Sequence, residues 1–144
     1  MARINVLNVY HEELKDGWHW GVGGYESMVE AFGQRVLVAT DDGDYQGDSY
    51  RLIADGDEPH QRYGILIFGW GSCSGCDALQ ACGSVSELQE LADSLQDSIK
   101  WFSHKEALRE YMENHDWEGD WSWHRGAFHD FRRQVMEFLD SDRV

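Results

Sequence analysis

Residues Arg62–Cys82 read RYGILIFGWGSCSGCDALQAC. Tyr63–Phe68 is an apolar run rich in strand formers. Glycine, serine and cysteine then break the run, and Asp77-Ala-Leu restarts the chain as a short helix. All three cysteines of the chain lie in this stretch. It is the one place where the sequence offers redox or metal chemistry.

Upstream, Arg35–Thr40 (RVLVAT) and Tyr50–Ala54 (YRLIA) are two further strands. Asp41–Asp48 (DDGDYQGD) and Asp55–His60 (DGDEPH) read as the turns between them. No segment long enough for a crossover helix separates the three strands, so they form an antiparallel meander. Before them, Tyr25–Phe32 carries Met28, Val29 and Phe32 at helical spacing, with Gly33 as the stop. Ile4–Asp16 has no clean period and reads as a strand or a short helix. Gly17–Gly24 (GWHWGVGG) is a glycine-punctuated loop.

Downstream, Ser84-Val-Ser-Glu87 and Ser86-Glu-Leu-Gln89 both fit a capping box. Val85, Leu88, Leu91, Ala92, Leu95, Ile99 and Phe102 follow at spacings of three and four, which predicts one amphipathic helix through Phe102. Its solvent side shows Glu87, Glu90, Asp93 and Asp97. Ser103-His-Lys-Glu106 is another capping box and opens a helix to about Glu113. A final helix starts at His124 or Arg125 and buries Phe128, Phe131, Val135, Phe138 and Leu139. The expected fold is a single α+β domain over residues 1–144. Its antiparallel sheet of three or four strands packs against helices on one face.

Twenty-seven acidic residues against twelve basic ones give a net charge of −15. Such a chain repels nucleic-acid phosphates and anionic membranes, so neither is an expected direct partner. Basic proteins and cations are, and solubility alone is the competing explanation of the charge. An odd number of cysteines, no apolar leader segment and no run of membrane-spanning length make a reduced, cytoplasmic setting the expectation.

Cys73-Ser-Gly-Cys76 admits three readings. Two thiolates at this spacing can share one zinc ion, which needs two more ligands, and a distant histidine such as His115 or His104 is a candidate for one of them. Cys73, Cys76 and His115 are therefore the candidate metal ligands. Cys82 falls on the Leu79 face of the helix and serves better as a small apolar side chain. Alternatively, strand, Trp70, Cys-x-x-Cys and helix resemble the thioredoxin active-site turn, where a helix N-terminus activates the first thiol. That family's later proline is missing here, because the chain's one proline, Pro59, precedes the motif. The third reading is a tight structural turn. A cysteine nucleophile with a remote histidine base would make the chain a thiol enzyme. The DDGD cluster lacks the ligand spacing of a calcium loop.

GWGSCSGCDALQAC, with GDYQGDSY before it and HDWEGDWSWH after it, resembles small proteins of bacteriophages and actinobacterial genomes over about residues 41–124. The resemblance implies a phage or prophage origin and transfers no activity and no functional residue. Combined with the charge, it points to a non-enzymatic accessory protein that blocks a host defence protein by mimicking nucleic acid. That partner would be of CRISPR or restriction type and would carry a basic nucleic-acid-binding surface. The expected contact residues are Asp41, Asp42, Asp44, Asp48, Asp55, Asp57 and Glu58 on the turns. The helix row from Glu87 to Asp97 and the aromatic loop residues Trp117 and Trp121 complete the surface.

Overall fold

In β2 (Gln46–Asp55) and β3 (Arg62–Gly71), apolar residues occupy both faces of the strand. Tyr50, Leu52, Ala54, Tyr63 and Ile65 pack on one side of the sheet, and Ile53, Leu66 and Phe68 on the other. A sheet of this kind needs a cover on each face. The computed structural model describes residues 3–18, 22–43, 46–57, 60–71, 77–115 and 125–141. In it, four antiparallel strands lie in the order β1-β2-β3-β4 with helices on both faces. The α+β class and the antiparallel sheet are as the sequence predicts. The placement of all helices on one face is corrected: YGILIF lacks the polar alternation of a strand with one wet side.

β1 (Arg35–Gly43) pairs with β2 from Arg35↔Ala54 to Gly43↔Gly47, with a bulge between Val36 and Val38. Asp41 and Asp42, expected in a turn, therefore belong to a strand. β2 pairs with β3 from Gln46↔Gly71 to Asp55↔Arg62. The turn after β2 uses Gly56 at φ +83°, a backbone shape that favours glycine.

One face is covered by α1 (Val6–Val9), α2 (His11–Leu14), α3 (Glu26–Phe32), α4 (Ala78–Ala81) and α5 (Val85–Ser98). Val6, Met28, Val29, Phe32, Leu79, Leu88 and Ala92 are their buried anchors. The other face is covered by α6 (Lys105–Asn114) and α7 (Arg125–Ser141). Leu108, Met112, Phe131, Val135 and Leu139 fill that side.

α5 starts at the Ser84 cap as predicted, with Glu87 reaching back one residue beyond it to Gly83. The Ser84 hydroxyl accepts from the Glu87 amide at 3.1 Å, and the Glu87 carboxylate accepts from the Gly83 amide at 2.9 Å. It ends earlier than expected, at Ser98, and Lys100–Phe102 forms β4 against Tyr63–Ile65. The stripe of threes and fours continues past the helix only by coincidence. Ile99 and Trp101 pack with the α5 side, whereas Phe102 enters the α6–α7 side, a split that only a strand within the sheet allows. α6 is capped by His104, whose Nδ1 accepts from the Ala107 amide at 3.1 Å, and not by Ser103.

β4 approaches β3 closely because residue 64 is glycine. A Cβ there would lie 2.8 Å from Ile99 and 2.9 Å from the Trp101 ring. Gly64→Ala is expected to lower stability by about 1–3 kcal/mol, the usual range for overpacking. Urea titration measures this, and an unchanged midpoint would contradict the packing.

Tyr10 is 2% exposed and donates its hydroxyl to the Gly24 carbonyl at 2.7 Å. Burial, then the Glu13 charge, push its pKa up to about 12. Burial and the hydrogen bond to Asp77 raise Tyr25 as well. Both hydroxyls keep their protons longer in the folded chain than in the unfolded one. Their contribution is complete below pH 10 and is lost as pH rises towards 12. Stability should fall across that window, and Tyr10→Phe should flatten the fall.

Candidate functional site

Arg51 is the one base in the acidic segment between Asp41 and Glu58, and the strand buries it to 4% exposure. Its position beside Ile53 in the β2 alternation turns it towards the α1–α5 face. Nη1 donates to the carbonyls of Thr40 at 3.1 Å and Tyr50 at 3.0 Å. Nη2 lies 2.5 Å from Glu26 at the start of α3 and 3.0 Å from Asp41 on β1. Ser49 donates to the same Asp41 carboxylate. The guanidinium also stands over the Phe68 ring at 5.8 Å.

Tyr25 packs on the same Phe68 ring, with centroids 4.7 Å apart. Its hydroxyl donates to Asp77 at 2.6 Å and accepts from the Leu79 amide at 3.1 Å. Asp77 also accepts from the Leu79 and Gln80 amides, which caps α4. These contacts bear on the thiol reading. The free N–H groups at the start of α4, expected to lower a thiol pKa, already serve a buried carboxylate. Cys73 and Cys76 themselves lie outside the described residues.

Cys82 is half-buried, and its Sγ lies 3.4 Å from the Ala78 carbonyl. Burial, followed by Glu87, Asp77 and Glu90, pushes its thiol pKa up. The thiolate is thus disfavoured, in keeping with a packing role. His115 closes α6, and its ring stacks on Tyr111 at 4.5 Å. α6 and Asp77, the residue that follows Cys76, belong to segments on opposite faces of the sheet. Among the described residues, no group of three or more His, Cys, Asp or Glu is placed to hold a metal ion.

The acidic residues divide into two groups. Asp41 is exposed and tied to Arg51, while Asp42 and Asp48 face each other in the β1–β2 register. Asp48 is half-buried. Asp55, at the other end of β2, pairs with Arg62 at 3.2 Å, and Asp57 is exposed beside it. The length of β2 separates the two ends by about 30 Å at a rise of roughly 3.3 Å per residue. The two acidic groups therefore stand at opposite ends of β2, because antiparallel pairing sends successive turns to opposite ends. Asp44, Glu58, Trp117 and Trp121 lie outside the described residues.

α5 lies between them. Its start lies beside α4, which Tyr25 ties to the Phe68 level of β3, directly opposite Ser49. Its end lies at Gly64 and shares a cavity with Arg62. Glu87, Glu90 and Asp97 are exposed along it, and Asp93 is half-buried. About 15 Å of helix axis thus carries four carboxylates. One DNA strand places about four to five phosphates over that length.

Arg3 pairs with Asp97 at the end of this row, and Gln89 donates to Asp93 within it. Arg51, Arg62, Arg109 and Arg133 each sit on a carboxylate elsewhere, and Arg132 donates to the Met112 carbonyl. The cluster of Glu26, Tyr25, Asp77 and Arg51, with Asp77 and Arg51 buried, was not expected. The one local signal was a lone arginine inside an apolar strand.

The pairing of Arg51 yields an asymmetric expectation. Glu26 and Asp41 keep 60% and 54% of their side chains exposed, against 5% for Arg51. Removing both acids, in Glu26→Gln/Asp41→Asn, strands a buried cation and should cost about 3–5 kcal/mol. Arg51→Met returns both carboxylates to water and should cost distinctly less. Chemical denaturation of the two variants compares them; equal losses would contradict the burial argument.

The chain matches no protein family, no curated protein and no solved structure. Among the described residues, no helix is long and apolar enough to cross a membrane.

Proposed function

We propose that this chain is a non-enzymatic acidic docking protein that occupies the nucleic-acid groove of a basic host defence protein and inhibits it. The observation that supports this reading is the α5 row. It lies between the acidic end at Asp41 and Glu26 and the acidic end at Asp55 and Asp57, and covers about half of the distance. A basic groove that normally follows a phosphate backbone matches a charged track of that length better than a compact patch. The phage resemblance of GSCSGCDALQ and its flanks supports a defence nuclease, of CRISPR or restriction type, as the partner.

Coulombic docking of this kind weakens as salt shortens the screening length from about 10 Å at 0.1 M to about 3 Å at 1 M. Affinity for a basic defence nuclease should therefore fall steadily through a salt series, and the nuclease's own DNA should compete. Glu90→Lys/Asp93→Lys should weaken binding several-fold. Glu110→Lys, on α6 across the sheet, should leave it unchanged. Binding indifferent to salt, to DNA and to the α5 reversal would overturn the proposal and leave the charge as a solubility device.

A further inference from the structure

The C-terminal half of α5 already holds a guanidinium. Arg3 places Nη2 2.5 Å from the Asp97 carboxylate and donates from Nη1 to the Asp93 carbonyl at 3.2 Å. A carboxylate and a carbonyl one turn apart form a fork that matches two N–H groups of one planar cation. The end of a helix adds its own partial negative charge. Beside Arg3 opens a cavity of about 350 Å³, lined by Arg3, Arg62, Gln96, Asp97, Ile99 and Trp101. Arg62 shows a second way of holding a guanidinium there, stacked 4.1 Å from the Trp101 ring and paired with Asp55.

We infer that this end of α5 is an arginine-recognition site, occupied in cis by Arg3 and taken over by an arginine side chain of the docking partner. The inference rests on the acidic docking reading and adds the chemistry of the contact. Arg3 suits the role of a displaceable occupant. Its side chain is 50% exposed and Asp97 is 61% exposed, so an incoming guanidinium reaches the pair from solvent. The segment behind it does not depend on that ion pair. The Ile4 amide donates to Gln96 at 3.1 Å, Gln89 donates to the Ile4 carbonyl at 2.8 Å, and the Val6 amide donates to Gln89 at 3.1 Å. Val6 is fully buried below them. Arg3 can therefore swing away while residues 4–6 stay seated on α5. Lysine offers its donors from a single nitrogen on a flexible stem, so it matches the two positions, which Arg3 meets with two nitrogens of a fixed fork, less well.

Calorimetric titration of the full chain with a tetra-arginine and a tetra-lysine peptide tests this. Wild-type protein should bind tetra-arginine several-fold more tightly than tetra-lysine. Arg3→Ala should strengthen tetra-arginine binding several-fold by freeing the site, and Asp97→Asn should weaken it several-fold with the arginine preference lost. Retained thermal midpoints would show that residues 4–6 stay docked. Equal binding of the two peptides, or no response to Arg3→Ala and Asp97→Asn, would overturn the inference. Salt-sensitive nuclease binding that ignores both variants would overturn it while leaving the docking function intact. Arginine selectivity without nuclease binding would do the reverse.

Discussion

Burial of β2 and β3 on both faces is the constraint from which the other features follow. Each strand carries large apolar side chains on its two sides, so a helical layer must close each side. The first layer comes from the chain before the sheet together with α4 and α5. The second comes from α6 and α7. β4 is the crossing point between them. It lets Ile99 and Trp101 stay with one layer while Phe102 enters the other, and Gly64 clears the space for that approach.

A charge placed in such a sheet must be matched where it lies. Arg51 stands in a strand whose neighbours are Tyr50 and Leu52, and water cannot reach it. Two carbonyls and two carboxylates surround it instead. The carboxylates come from the surface, so their outer sides remain wet. The result is a cation hidden under anions. Arg3, Arg62, Arg109 and Arg133 are also paired with carboxylates, but nearer the surface.

α5 serves packing and display together. Leu88 and Ala92 anchor it in the core, and Gln89 and Gln96 hold the first residues of the chain. Its remaining side carries carboxylates at spacings of three and four. Because the helix runs from the Ser49–Phe68 level towards the Arg62 level, these carboxylates lie between the acidic ends of the sheet. Arg3 covers one end of the row and leaves Glu87 and Glu90 open.

The sequence by itself determined what depends on neighbours a few residues away. The three long strands, the meander, the Ser84 cap and the buried stripes of α5 and α7 were all readable, because capping and amphipathic spacing act within a turn or two. The net charge was equally plain. Only the tertiary structure decided which acidic residues stand together. Asp41 and Asp42 became strand residues because β2 offered partners across the hairpin. Asp55 and Asp57 were sent to the far end by antiparallel pairing. Lys100–Phe102 left the helical pattern because the free edge of β3 supplied backbone hydrogen bonds that no local spacing announces. Arg51 was legible as a lone base inside an apolar strand, and its burial depends on which layer covers its face. The arginine site at the end of α5 was invisible for the same reason: Arg3 and Asp97 meet only after residues 4–6 have docked on the helix.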